Sequence, residues 1–457
     1  MKNAVLLVFL LGVSLHVRAA EDLSVLFEKA RFLETGKGRP DQARAIYAQI
    51  AGAQALSNNV EVVKQSMLRL LALGAGDEQA AEMRTYSGRL LKECGVGLQD
   101  VIDVCAAGST IHLPDGQYQE CITIDKAIRL TGESLTGTVM QVTSDMPLIS
   151  VRHKGDLTLE RVTLRSQRET SERRDIPSCA LYVRDGKAVV NGCRIEAAGG
   201  FQRSPVGVVG TGFSDILLRD SVFSGYEYTI QFARGCKGTV RDCVVLNPGH
   251  CGITAGTDSS VEVVRTVVCG SRFHGVRCTG ATLNMRENLV VKNKNRGVYL
   301  GNRTAHGTIV DNVIAANASG ISAFASANVM IESNLLADCT YAGLDLRDTC
   351  RLVVQGNTFL GNQRGIVGFL NGNPHRSVFK ENRFWQNDAD TENLDPPIVQ
   401  RPQHPPMYAT TARGVIRSDG GYKDKETPLS RLWQKWADHT GHSYEGRRRV
   451  ETSAEVQ

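Results

Sequence analysis

The sequence predicts a solenoid of short strands stacked in parallel, and three observations carry that prediction. First, the beginnings Cys251-Gly252-Ile253, His274-Gly275-Val276, Arg296-Gly297-Val298, Ser319-Gly320-Ile321, Ala342-Gly343-Leu344 and Arg364-Gly365-Ile366 recur every 22 or 23 residues. A fixed period held over six copies marks a repeat architecture rather than an ordinary globular core. Second, apolar residues alternate with variable ones after each glycine, as in Val298-Tyr299-Leu300. That is strand periodicity with one face buried. Third, two columns made largely of asparagine keep the same period. One reads Thr266, Asn288, Asn312, Asn334, Asn357, Asn382; the other reads Ser271, Asn293, Asn317, Cys339, Asn362, Asn387. Stacked side-chain amides can bond both the next turn and the neighbouring backbone.

Each copy also carries a second strand, through Val263, Met285, Ile309, Ile331, Val354 and Phe379. A copy is too short for a strand–helix–strand unit and has no helical period. A coil with every strand parallel to the one a turn away is the simplest object that fits. Its 457 residues, 42% hydrophobic, suffice for a large core, and 45 glycines suit a chain that turns in every rung.

From the start of the chain, Lys2, the apolar run Ala4 to Leu15 and the small residues around Ala19 and Ala20 read as a secretory signal over 1–20, bacterial in style. The run is too short to span a bilayer, so no transmembrane segment is expected. The localisation that follows is secreted or periplasmic. The formal charge of +5 falls to +3 once Lys2 and Arg18 are removed, too mild for nucleic acid as an obligate partner.

Residues 21–98 read as helical, with segments Leu23 to Thr35, Asp41 to Gln54, Asn58 to Leu73, and one from Asp77 to Cys94. Ala43 to Tyr47 faintly resembles a tetratricopeptide helix. The segment serves either as a cap on the open end of the coil or as a surface for a protein partner. The coil itself is expected over 104–388, with early rungs at Leu148 to Leu164, Ala180 to Ile195, Val206 to Phe223 and Thr229 to Val245. The charged stretch Arg165 to Pro177 is a solvated loop or a lid. After it come a proline-rich and basic tail over 389–457 and a short amphipathic helix at Leu429 to Ala437, with Leu432, Trp433 and Trp436.

Twelve cysteines in an exported chain suggest disulfides, with Cys94, Cys105 and Cys121 the best placed. Cys193, Cys243, Cys278 and Cys339 instead fall on repeat columns and read as small buried hydrophobes. No cysteine or histidine spacing reads as a zinc site, and neither a metal nor a cofactor is expected.

In a stacked coil, equivalent positions on successive rungs lie about 4.8 Å apart. The position before the glycine then forms the stripe Cys251, His274, Arg296, Ser319, Ala342, Arg364, and the position two after it forms Thr254, Arg277, Tyr299, Ser322, Asp345, Val367. His250 lies one residue before the first stripe, and Arg347 continues the same face. His250, His274, Arg277, Arg296, Tyr299, Asp345, Arg347 and Arg364 thus share a basic, aromatic-bearing surface about 24 Å long. It suits an extended acidic polysaccharide, with arginine for carboxylates and tyrosine for sugar faces.

These residues resemble the right-handed parallel β-helix proteins of the pectate-lyase-like superfamily, from about Val104 to Asn387. The stretch Ile111 to Gly132 looks like an opening rung of the pectinesterase-type and carbohydrate-binding members. The resemblance implies an all-β solenoid, a right-handed parallel β-helix, preceded by a small α-helical domain. Uronic-acid lyases and epimerases of that superfamily abstract a proton beside a carboxylate. By that resemblance His274 or Arg296 is the base and Arg277 the carboxylate clamp, with His250, Tyr299, Asp345, Arg347 and Arg364 binding the polymer. The paired-aspartate motif of pectinesterases, the clustered aspartates of polygalacturonases, the acidic calcium site of pectate lyases and the Asp-Pro-His-Asp motif of alginate epimerases are all missing from the corresponding positions. A fold of this kind does not fix an activity. The alternative is a cell-envelope binding or assembly scaffold without catalysis.

Overall fold

A computed structural model describes residues 23–52, 60–73, 80–169, 177–301, 305–324, 327–347, 350–369 and 377–394. The expected signal at 1–20, the helix at Leu429 to Ala437 and most of the charged loop before Pro177 lie outside the described residues.

Three parallel sheets of twelve strands each form the coil. The first runs from Ser109–Leu113 to Val378–Lys380, the second from Gly116–Tyr118 to Arg383–Trp385, and the third from Ile122–Ile124 to Ala389–Glu392. Successive turns hold the register that the repeat predicts: His274 pairs with Arg296, and Arg277 with Tyr299. The sequence reading of the repeats named two strands per turn. The structure has three, because the residues between the two asparagine columns, such as Val267–Cys269 and Leu289–Val291, form a strand of their own.

Inward-facing aliphatic residues fill the coil. Ile253, Val276, Val298, Ile321 and Leu344 are all fully buried. The recurrent glycine has a steric cause. A Cβ on Gly297 would lie 2.7 Å from the carbonyl oxygen of Gly320 and 2.7 Å from Ile314 Cγ2. Backbones of adjacent turns touch there, so no side chain fits.

The asparagine columns are continuous ladders. The backbone N–H and the Nδ2 of Asn288 both donate to Asn312 Oδ1, at 2.9 and 2.8 Å, and Asn312 Nδ2 donates onward to Asn334 Oδ1 at 2.9 Å. In early turns smaller residues take the same place, where Cys193 N donates to Ser221 Oγ and Cys243 N to Thr266 Oγ1. Cys339 stands in the second ladder, its N–H donating to Asn362 Oδ1 at 3.0 Å. Every cysteine remains a thiol, which corrects the expectation of a bridge among Cys94, Cys105 and Cys121. Cys105 is buried in the core, and desolvation pushes its thiol up to about 12, whereas Cys121 is exposed.

Helices Leu23–Arg31, Pro40–Gly52, Val60–Leu73 and Ala80–Lys92 match the expected segments, the first ending in a π turn at Phe32–Gly36. The sequence reading missed a further helix, Leu98–Val104. It closes the open end of the coil with Leu98, Val101 and Ile102 fully buried. Gln99 Oε1 accepts from the N–H of Thr123 at 2.7 Å, and its Nε2 donates to the Thr123 carbonyl at 3.2 Å. One side chain so replaces the missing neighbour strand of the third sheet. Ser87 Oγ likewise accepts from His112 N at 3.1 Å on the edge of the first sheet. Both contacts satisfy groups that would otherwise invite another strand. Among the described residues no helix is long and apolar enough to cross a membrane.

Candidate functional site

The outer face of the third sheet carries the residues singled out by sequence. Cys251, His274, Arg296, Ser319 and Ala342 follow one another in register, as do Thr254, Arg277, Tyr299, Ser322, Asp345 and Val367. Strand pairing places these columns side by side, and aromatic rings knit them together. Ring centroids run from Tyr228 to His250 at 4.8 Å, His250 to Phe273 at 4.7 Å and Phe273 to His274 at 4.0 Å. They continue from His274 to Tyr299 at 4.8 Å and from Tyr299 to Phe324 at 5.2 Å. The result is a ribbon of rings climbing the coil.

Guanidinium groups lie along that ribbon. Arg296 Cζ is 5.4 Å from the centre of Tyr299 and 5.0 Å from that of Phe324, and Arg347 Cζ is 5.2 Å from Phe324. Arg364 lies 5.3 Å from the ring of Tyr341. The arginines fall into two groups. Arg347 Nε binds Asp345 Oδ1 at 3.2 Å, and Arg364 is paired with Glu392. Arg277 and Arg296 have no such carboxylate partner among the described residues, and the Nε of each is buried without a hydrogen-bond partner. His274 Nδ1 is in the same condition, on a side chain that is 97% buried. Three unsatisfied nitrogens therefore lie on two adjacent turns, where most buried polar groups of a folded protein would be bonded.

Electrostatics follow from this placement. Burial, then Arg296, Arg277 and His250, push the His274 imidazole down to about 3, so it is neutral near pH 7. His250 is lowered as well, by burial and then by Arg277, and its Nδ1 lies 3.0 Å from Cys251 Sγ. Burial also lowers Arg296, against the pull of Asp345.

All eight sequence-chosen residues lie on this face, in unequal roles. His250, His274, Arg277, Arg296 and Tyr299 form one compact patch. Asp345 is 99% buried and takes a hydrogen bond from Ser322 at 3.3 Å besides its contact with Arg347, so its carboxylate orients Arg347. Phe324 escaped the sequence reading because it follows the last paired strand residue, Ala323, and so belongs to neither stripe. Tyr228 escaped because its turn lacks the glycine that anchors the others. Among the described residues no cluster of three potential ligands could hold a metal ion.

None of the curated proteins matches the chain. Several solved structures resemble it. The A-module of mannuronan C-5 epimerase AlgE4 from Azotobacter vinelandii matches with a TM-score of 0.48 and 14% identity, over 70% of this chain and 96% of its own. The periplasmic alginate epimerase AlgG matches with a TM-score of 0.42 and 14% identity, over 73% and 90%. The catalytic unit of a thermostable GH87 α-1,3-glucanase from Streptomyces thermodiastaticus matches with a TM-score of 0.37 and 14% identity, over 65% of each chain. A family model described as the right-handed beta helix region matches residues 148–314 and 300–393, more than half of the sequence, and with its three parallel twelve-stranded sheets the chain belongs to that family.

Proposed function

We propose that the protein binds an acidic polysaccharide along the aromatic ribbon of the third sheet and cleaves it by β-elimination at His274. The observation that supports this most directly is the set of three unsatisfied nitrogens, His274 Nδ1, Arg277 Nε and Arg296 Nε, beside the half-buried ring of Tyr299. Buried polar groups without partners are costly; ligand oxygens accept from the two Nε donors, and a ligand hydroxyl or C–H faces the Nδ1 acceptor. Guanidinium groups favour carboxylates, and flat rings favour the apolar faces of sugars.

The chemistry follows from charge. A uronate carboxylate between Arg277 and Arg296 loses its negative character, which acidifies the adjacent C–H bond. His274 is neutral and accepts that proton on Nδ1. The C–H electron pair forms a carbon–carbon double bond, and the glycosidic oxygen on the next carbon departs with its own pair. It then takes a proton from the imidazolium or from solvent. With its value lowered to about 3, the imidazole on its own is a weak base. A bound carboxylate offsets the two guanidinium charges and so raises its basicity when substrate is present. The apolar run Ala4 to Leu15, read as an export signal, fits a substrate met outside the cytoplasm.

The test incubates the protein with acidic and neutral polysaccharides, following binding and the ultraviolet absorbance of unsaturated ends. Absorbance with an acidic polymer, lost in His274→Ala while binding persists, is the expected result. Binding without absorbance removes the cleavage step and leaves a holding scaffold. Equal affinity for neutral and acidic polymers would overturn the whole reading.

A further inference from the structure

A second group of cations flanks the aromatic ribbon, on the turns that lead into the third sheet. Four residues connect Val267–Cys269 to His274–Cys278, and four connect Leu289–Val291 to Arg296–Leu300. The two turns are therefore equivalent position by position. Ser271 and Asn293 stand in the second ladder, where Ser271 N donates to Asn293 Oδ1 at 3.0 Å. The next residue is Arg272 in one turn and Lys294 in the other. Both are exposed, and neither makes an ion pair among the described residues. Arg272 is nonetheless held in place. A loop of eight residues, 198–205, joins Arg194–Ala197 to Val206–Thr211, twice the length of the two turns just named. It is tied down: Arg168 N donates to the Arg203 carbonyl at 2.7 Å, Ser204 Oγ to the Ser166 carbonyl at 2.8 Å, and Glu227 N to the Ser204 carbonyl at 3.1 Å. The loop brings Phe201 against Gly249, where a Cβ would come within 2.5 Å of Phe201 Cγ. The guanidinium of Arg272 lies over that ring, 4.3 Å from its centre. A ring beneath a guanidinium holds it by cation–π attraction and leaves its N–H edges available to a planar anion.

We infer that Arg272, with Lys294 one turn on, forms a second carboxylate subsite, and that the protein selects polymers of directly joined uronic acids over polymers in which uronic and neutral sugars alternate. The inference rests on the reading of the ribbon as the binding surface, where Arg277 and Arg296 take the carboxylate of the sugar at His274. Arg277 follows His274 by three residues of extended strand, about 10 Å, and Arg272 precedes it by two. Along the strand His274 therefore has a cation on either side. Phe273 separates it from Arg272; its ring centroid is 4.0 Å from that of His274, and the residue is 37% exposed. It offers a flat platform for the adjoining sugar. Successive sugars are rotated about the chain axis, so the carboxylate of the adjoining sugar faces a different side from the first. A directly joined uronate turns that group toward Arg272 for a planar, two-bonded contact, and a neutral neighbour leaves the guanidinium unused.

Calorimetric titration of the full chain tests this, with tetramers of galacturonate and of mannuronate set against the hyaluronan tetramer, in which uronic acids alternate with a neutral sugar. The better of the directly joined tetramers should bind roughly tenfold more tightly than hyaluronan, the worth of one charge-assisted pair. In Arg272→Gln/Lys294→Gln that ratio should fall to about twofold or less. Phe201→Leu removes the aromatic platform without changing charge and should lower the ratio about threefold. Removing two exposed cations elsewhere, in Arg234→Gln/Lys237→Gln, should leave the ratio where it was. Equal falls in the two double variants would mean that total charge rather than a subsite sets the preference, and would overturn the inference. So would a ratio that survives Arg272→Gln/Lys294→Gln. A parent chain that binds both kinds of tetramer alike also overturns it, while leaving the first subsite standing. A parent chain that binds none of the tetramers overturns the reading of the ribbon itself, and this inference with it.

Discussion

The imidazole of His274 lies face to face with the phenol ring of Tyr299, with centroids 4.8 Å apart and planes 8° from parallel. The two are diagonal neighbours on adjacent turns, since His274 pairs with Arg296 and Tyr299 with Arg277. Each ring therefore has a guanidinium group beside it in the neighbouring strand. The stack fixes the imidazole plane, and with it the direction in which Nδ1 is presented.

Tyr299→Phe keeps that stack and Tyr299→Leu removes it. An aromatic pair contributes about 0.5–1.5 kcal/mol beyond its area. Affinity for the acidic polymer should fall roughly two- to twelvefold in Tyr299→Leu and stay near the parent value in Tyr299→Phe. Titration of both variants with one polymer checks this. Equal losses would mean that the hydroxyl matters rather than the stack.

Arg277 and Arg296 should not tolerate lysine. The substitution keeps the charge but removes the planar fork and the buried Nε. Arg296→Lys also weakens the contact with Tyr299 and Phe324. Each change is expected to lower affinity about tenfold, the equivalent of about 1.4 kcal/mol. Arg364→Lys should have a much smaller effect, because Glu392 already occupies that guanidinium. Binding by the parent should weaken as salt rises, since guanidinium–carboxylate attraction at a partly exposed site is screened.

The coil was legible because a solenoid repeats its local rules. Six glycines, two ladders and one alternation each report the same period, and register follows from period alone. The second sheet was not legible, because three-residue strands such as Val313–Ala315 are apolar throughout and show no alternation. The helix Leu98–Val104 was missed for a similar reason: at seven residues it is too short to display a helical period. At the site, the columns of Arg277 and His274 could be read from spacing. Which arginines are occupied could not. Glu392 lies beyond the repeats, and its approach to Arg364 depends on one further turn in the third sheet.

His274 makes stability depend on pH in a definite direction. Its ordinary value near 6.5 falls to about 3 in the folded chain, so between these values the unfolded chain binds the extra proton. Stability contributed by this residue is complete above pH 6.5. It is lost as pH falls, by up to about 1.4 kcal/mol per pH unit, until about pH 3. Denaturant unfolding at a series of pH values should show a shallower acid loss in His274→Gln than in the parent. Parallel curves would mean that His274 protonates freely in the fold. Saturating acidic polymer should raise the imidazole and be accompanied by proton uptake.

The ladder yields the sharpest stability contrast. Asn312 Oδ1 accepts from both the N–H and the Nδ2 of Asn288, while its own Nδ2 reaches Asn334 Oδ1 and the carbonyl of Val310 at 2.9 Å. Asn312→Ala removes the acceptor of the Asn288 N–H and Nδ2 and the donor to the Val310 and Met285 carbonyls, while Asn334 Oδ1 keeps only the backbone N–H of residue 312; each buried group left unpaired costs about 1–3 kcal/mol. A loss of about 2–5 kcal/mol is expected, because neighbouring turns share the damage through a continuous chain of bonds. Asn312→Ser should lose less, since Ser221 already serves the first ladder by accepting from Cys193 N through a hydroxyl. Asn387→Ala at the last turn should cost less still. Its side chain serves Asn362 alone on one side and, on the other, Asp390 and the Phe359 carbonyl, and it is only partly buried. Urea midpoints in the order parent, Asn387→Ala, Asn312→Ser, Asn312→Ala would bear this out. Equal midpoints for the two alanine variants would show that the ladder acts turn by turn rather than as one bonded column.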